Sequence, residues 1–228
     1  MTLDLGAGCI DGVVIVADRK ITDLITRQLV KYDEKVYGVL RNVIFAYEGS
    51  EDMFSVFLRY LVGDVVMLRD DQEKYTSDNL LQKLSNIMTV LRNIRDPRSR
   101  DFLLSIMVAR EFPVGVKSDL NIVKSNGNCE FVNEWQVIGN GGIIARKYIQ
   151  EKWSTNMNML QFAELGYSII KYIENEKLDN SVGVGAGRPS IRYLPDDNYS
   201  DTSSNEEEYH QFDIAYDSYY NDFKRLKD

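Results

Sequence analysis

Leu3-Asp4-Leu5-Gly6-Ala7-Gly8-Cys9-Ile10-Asp11-Gly12-Val13-Val14-Ile15-Val16-Ala17-Asp18-Arg19-Lys20 decides the fold class. Leu3 to Ile10 and Val13 to Ala17 are apolar runs joined by Asp11-Gly12, and an Asp-Gly pair between strand-like runs predicts a tight hairpin. A second hairpin is predicted from Lys35–Val39 and Val43–Tyr47, which flank Arg41-Asn42. The first fifty residues thus read as a four-stranded antiparallel meander.

Helical periodicity follows. Met53, Phe54, Phe57, Leu58 and Leu61 keep a three-to-four spacing, and so do Leu80, Leu81, Leu84, Ile87, Met88 and Leu91 behind a Ser77-Asp78 cap candidate. Strand character returns at Phe102–Ala109, Asn121–Lys124, Glu130–Val132 and Trp135–Ile138. Two further helices fit Ile143–Trp153 and Met157–Glu174, and last strands fall near Ser190–Leu194. Strand blocks alternating with helix pairs indicate α+β layers and not a parallel βαβ repeat. The arrangement that buries all four amphipathic helices is two facing antiparallel sheets with a helix pair on each outer face, a four-layer αββα sandwich.

The 228 residues divide into a folded domain over 1–194 and a tail over 195–228. From Pro195 onward the tail has ten acids against three bases, so it carries −7 of the net charge of −8. It is poor in aliphatic residues and is expected to be largely disordered, although Tyr209 to Phe223 could dock. Such a balance disfavours nucleic acid as a partner. No apolar run approaches the roughly 18 residues of a membrane span, and no basic-then-apolar leader opens the chain, so a cytoplasmic location is expected. Cys9 and Cys129 make no disulfide framework and fit no zinc spacing; two reduced, partly buried thiols are expected. His210 is the single histidine, which argues against Ser–His–Asp or Cys–His machinery and a multi-histidine metal site. No metal or cofactor is expected. The clusters Gly6-x-Gly8 and Gly183-x-Gly185-x-Gly187 lack the Gly-Lys-Ser/Thr ending of a phosphate loop, and turns or close backbone approach are the favoured reading.

Candidate chemistry begins at Thr2. Methionine is commonly trimmed before a small residue, and removal of Met1 would leave a hydroxyl beside a free amine with an unperturbed pKa of about 7.7–8. That amine can serve as general base in place of histidine. Asp18 and Lys35 each fall at a strand edge. By themselves they could be a solvated ion pair. Beside Thr2 they gain a role, because an ammonium near the hydroxyl eases charge development on the attacking oxygen, with the aspartate orienting it.

Asp11-Gly12-Val13-Val14-Ile15-Val16-Ala17-Asp18-Arg19-Lys20-Ile21-Thr22 resembles the opening of proteasome β-type subunits, which are N-terminal nucleophile hydrolases. The spacing from Thr2 to Asp18 matches that family. Lys35-Val36-Tyr37, Glu48-Gly49-Ser50 and Phe57-Leu58-Arg59-Tyr60-Leu61 fall into the same register after a one-residue insertion. Weaker matches are Leu84–Met88, Val137-Ile138-Gly139-Asn140-Gly141-Gly142 and Asp179-Asn180-Ser181, so the likeness runs from about residue 2 to 194.

The resemblance implies roles by position. Thr2 would be nucleophile and base, Lys35 and Asp18 the charge-tuning pair, and the Gly49 N–H the oxyanion hole. Thr22 would hold substrate backbone, and Ile21 and Tyr47 would lie near an apolar specificity pocket. Asp179 would orient the N-terminus. Asn140 stands where the family has a serine, and Val182 stands where it has another, with Ser181 beside it. Asparagine offers both a donor and an acceptor. Asp4 adds a negative charge close to Thr2, and with only Met1 ahead of Thr2 activity would depend on methionine removal. The implied protein is a threonine endopeptidase acting on unfolded polypeptide within a homo- or hetero-oligomeric ring, with α-type subunits and an ATP-dependent unfoldase as partners. The alternatives are a peptide transferase or ligase using the same ester, and a non-catalytic ring subunit.

Overall fold

Strand β1 (Leu3–Cys9) pairs antiparallel with β2 (Gly12–Ala17), setting Cys9 opposite Gly12. The turn is therefore Ile10-Asp11, one residue earlier than the sequence suggests. Gly12 opens β2 at φ 145°, and a Cβ there would lie 2.3 Å from the Leu194 carbonyl oxygen. The neighbouring strand's close approach is what requires glycine. The structure is a computed structural model describing residues 3–22, 28–40, 43–66, 77–94, 104–110, 117–185, 187–196 and 202–227. Thr2 and the Arg41-Asn42 turn lie outside the described residues.

The first fifty residues do not form one meander. β1 and β2 join β10 (Trp135–Gly139), β11 (Ser190–Pro195) and β12 (Thr202–Ser203) in a sheet of order β10-β1-β2-β11-β12. β3 (Lys20–Thr22) and β4 (Leu29–Tyr32) pair by themselves. β5 (Val36–Leu40) and β6 (Val43–Gly49) continue through β7 (Leu104–Arg110), β8 (Asp119–Val123) and β9 (Cys129–Val132) as a second antiparallel sheet. The break comes at Asp18, whose carboxylate takes the backbone N–H groups of Leu3 and Gly183. That leaves β3 to leave the sheet and pair elsewhere.

Side chains alternate in and out along each strand, and both faces of both sheets are covered. Val13, Ile15 and Ala17 of β2 meet Ile44, Ala46, Met107 and Ala109 between the sheets. Phe45 and Val108 point the other way, into Phe57, Leu61, Leu84 and Met88 of α1 (Glu51–Val66) and α2 (Ser77–Ile94). Leu5, Val14 and Val16 pack against α3 (Gly142–Lys152) and α4 (Met159–Asn175) through Tyr148, Phe162 and Ile169. α4 starts in a capping box, Asn158 Oδ1 accepting the Gln161 N–H and Gln161 Oε1 the Asn158 N–H. The four-layer αββα sandwich expected from sequence is the fold.

The tail departs from expectation. Residues 206–227 form helix α5 (Glu206–Lys227), which packs on the outer side of α4 and against α3. Phe212 and Phe223 are buried against α3 and α4, with Tyr209, Tyr216, Tyr219 and Tyr220 partly buried beside them. Composition misleads here because the apolar stripe is aromatic and not aliphatic, yet its spacing is helical. Asn205 caps the helix by accepting the Glu208 N–H at 2.9 Å, and Glu206, Glu207 and Glu208 sit where the helix dipole favours anions. Cys9 is buried and burial pushes its thiol up to about 12; Cys129 is exposed, contrary to the expectation of partial burial. No helix among the described residues is long and apolar enough to cross a membrane.

Candidate active site

Asp18 follows β2 directly, and Lys35 precedes β5, so the two sheets meet at this pair. Lys35 Nζ lies 2.6 Å from Asp18 Oδ1, and the side chains are 2% and 0% exposed. That burial rules out a solvated surface pair. A buried pair needs its remaining valences met, and they are. Asp18 Oδ1 also accepts the Leu3 N–H (3.0 Å), and Oδ2 accepts those of Gly183 (3.0 Å) and Lys20 (3.3 Å). Lys35 Nζ donates in addition to the Lys20 carbonyl at 2.6 Å. The backbone closes the arrangement: Asp18 N–H donates to the Leu3 carbonyl and Arg19 N–H to that of Gly183, each at 3.0 Å. The charged pair is thus bonded to the residue next to Thr2.

A second cluster lies across β1. Leu3 pairs with Gly139, the last residue of β10, so Asn140 is next beyond the last described pair of that ladder. Asn140 Nδ2 donates to Ser181 Oγ at 3.1 Å, and Ser181 Oγ–H donates to Asp179 Oδ1 at 2.6 Å. The same Oδ1 accepts the Ser181 N–H at 2.8 Å. The two departures from the family pattern therefore answer each other, since the asparagine reaches the serine one place earlier. Val182 is buried, and a Cβ on Gly141 would come within 2.9 Å of it. α4 delivers this segment through a Schellman-type end: Leu178 N–H donates to the Ile173 carbonyl, with Lys177 at φ 51°.

Gly49 ends β6 at φ 124°, a backbone conformation that L side chains rarely adopt. Ser50 then caps α1, accepting the Met53 N–H on Oγ (3.4 Å) and the Phe54 N–H on its carbonyl (3.0 Å), so Gly49 sits at the positive end of a helix. Glu48 lies beside it, and burial pushes its carboxyl up, against the opposing pull of the Gly139 N–H and of Arg146. Thr22 is buried at the end of β3, and its hydroxyl has no partner among the described residues. Ile21 is half-buried and pairs with Lys31.

Tyr47 is packed among aromatic rings. It is 3% exposed, on the helix side of the second sheet. Its ring stacks on Phe54 with centroids 3.9 Å apart and planes 6° apart, and Tyr37 lies 6.3 Å away.

Asp18 and Lys35 form one cluster, Asn140, Ser181 and Asp179 form another, and the Leu3 and Gly183 backbone lies between them. Sequence reasoning missed Gly183, Glu48 and Glu174. The glycine spacing around Gly183 was visible, but it reads equally well as a turn. Among the described residues no group of His, Cys, Asp or Glu could hold a metal ion.

The αββα sandwich of two antiparallel sheets matches the fold of N-terminal nucleophile hydrolases. The chain belongs to the proteasome subunit family, whose sequence model, described as Proteasome subunit, matches residues 4–186. Similar solved structures include Anbu (ancestral beta-subunit) from Yersinia bercovieri, 13% identical with a TM-score of 0.75, the match covering 98% of this chain and 95% of that one. An Anbu mutant from Hyphomicrobium sp. strain MC1 is 13% identical with a TM-score of 0.76, covering 99% and 96%. At that identity the likeness is one of fold, and its coverage takes in α5. No curated protein matches the chain.

Proposed function

We propose that the chain is a β-type threonine peptidase whose nucleophile is Thr2 after loss of Met1. The observation that carries this reading is the buried Asp18–Lys35 pair at 2.6 Å, tied by the Leu3 N–H to the residue after Thr2. In the proposed reaction the Thr2 Oγ attacks the scissile carbonyl carbon while the free amine takes the hydroxyl proton. The Lys35 ammonium lowers the cost of charge on Oγ, and the Gly49 N–H receives the oxyanion. Collapse breaks the C–N bond, the amine passes its proton to the departing nitrogen, and an ester remains on Thr2. Water, deprotonated by the same amine, then cleaves the ester. Asn140, Ser181 and Asp179 would hold the amine in place, Thr22 and Ile21 would meet the substrate chain, and unfolded polypeptide would enter through a ring of subunits. A cytoplasmic location is proposed with it.

Burial of Val182 where the family has a serine favours a second reading, a non-catalytic subunit of the same ring. An intact-mass measurement with an epoxyketone, a warhead that needs both hydroxyl and free amine, separates the two. Loss of Met1 and gain of one inhibitor, abolished in Thr2→Ala, is the expected result. Retained Met1 with no adduct would establish the non-catalytic reading.

A further inference from the structure

We propose that Glu174 is a positioning residue for Asp18, acting through the backbone of residues 183–185; this rests on the hydrolase reading above. Glu174 lies in the last turn of α4. A carboxylate there opposes the helix macrodipole, and that turn holds no basic residue to offset it. Its position is explained by what it binds. Glu174 Oε1 accepts two successive backbone N–H groups, Val184 at 3.0 Å and Gly185 at 2.9 Å. Consecutive N–H groups converging on one anion form a rigid concavity in the chain.

The residue before this pair is Gly183, and its N–H donates to Asp18 Oδ2 at 3.0 Å while its carbonyl accepts the Arg19 N–H. Glu174 lies directly against that glycine: a Cβ at Gly183 would fall 2.4 Å from Glu174 Oε1. The carboxylate therefore fixes residues 183–185 from one side as Asp18 is fixed from the other. Asp18 in turn orients Lys35 at 2.6 Å. Glu174 touches neither Asp18 nor Lys35 in this chain of bonds; it sets the direction from which Gly183 donates.

The test compares wild type, Glu174→Ala, Glu174→Asp and Glu174→Gln in the full chain. The rate of epoxyketone adduct formation is followed by mass across inhibitor concentrations, and amide exchange is followed at Gly183 and Leu3. A single oxygen accepts both N–H groups, so Glu174→Gln can keep the arrangement and should react like wild type. Glu174→Ala, and Glu174→Asp with its shorter reach, should lose on the order of 10- to 100-fold in maximal rate, as expected for a slightly misplaced group. Half-saturation should be unchanged, and exchange at Gly183 and Leu3 should be faster. Wild-type rates in Glu174→Ala or Glu174→Asp, or a Glu174→Gln variant as slow as they are, would overturn the proposal. A wild-type chain that forms no adduct removes the hydrolase reading alone. Exchange then decides: unchanged protection of Gly183 and Leu3 in Glu174→Ala overturns the positioning role, and lost protection supports it.

Discussion

The Asp18–Lys35 pair is a costly commitment by two single residues. Both groups are withdrawn from water, and their mutual attraction and backbone donors offset the desolvation. Removing one partner strands the other's charge, which in buried pairs costs about 3–5 kcal/mol. Lys35→Met should therefore lower the unfolding free energy by about that amount in urea titrations. The double variant Asp18→Asn/Lys35→Met should be more stable than Lys35→Met alone, because the stranded carboxylate is gone; a double variant that is weaker still would show that the carboxylate's N–H bonds outweigh its charge. The pair was legible in sequence because its spacing from Thr2 matches a known family and its residue types announce chemistry. Gly183 was not, since it acts through a backbone N–H that any residue type carries, donated across 165 positions of sequence. The surroundings of Tyr47 are not legible for a related reason. Strand alternation sets which face a side chain takes, but only the folded packing shows which rings surround it, here Tyr37 and Phe54.

At the scale of elements, α4 is the organising helix: it lies on β1 and β2 and carries α5 on its other side. Gly166 allows the close approach to the sheet, for a Cβ there would meet Val16 Cγ2 at 3.0 Å and Val16 Cβ at 3.1 Å. Alanine gains about 1 kcal/mol in helix propensity over glycine, but overpacking against a fully buried strand costs about 1–3 kcal/mol. Gly166→Ala should thus be neutral to destabilising, and a raised melting temperature would mean that α4 shifts freely on the sheet. α5 makes a stronger prediction. Phe223 is fully buried, its ring 4.6 Å from Tyr148 and 5.4 Å from Tyr172, so Phe223→Ala should cost about 3–5 kcal/mol. Global unfolding that stays put while α5 becomes protease-sensitive would instead identify it as a detachable flap. The helices and most strands of the body were legible because their apolar periodicity is aliphatic. β5 and β6 lie in a different sheet from β1 and β2, not in the single meander the sequence suggests, because strand pattern does not reveal partner, and α5 is hidden by acidic composition around an aromatic stripe.

Over the whole molecule, the charge that matters most at high pH belongs to phenols and a thiol, not to the acidic tail. Burial is the leading cause that pushes Tyr37, Tyr209 and Cys9 up to about 12, and it pushes Tyr47, Tyr167 and Tyr193 up further. An unfolded tyrosine loses its proton near pH 10 and a cysteine near 8.5, so between those values and about 12 the folded chain holds more protons than the unfolded one. Stability must then fall as pH rises. The contribution is fully present below the unfolded values and is lost as pH climbs through the folded ones. Urea midpoints should be flat near neutrality and drop steeply from about pH 10 to 12. Tyr209 makes this separable from general alkaline damage. Its hydroxyl donates to the Pro189 carbonyl at 2.7 Å, and Arg188 lies 4.8 Å over its ring. Tyr209→Phe loses that hydrogen bond, about 1 kcal/mol at neutral pH, but it also removes one titrating group from the α4–β11–α5 junction. Its stability curve should start lower and fall less steeply, closing on wild type as pH rises through 10. Parallel curves would mean that the phenol is already ionised in the folded chain at the same pH as in the unfolded one, and that burial at this junction does not hold its proton.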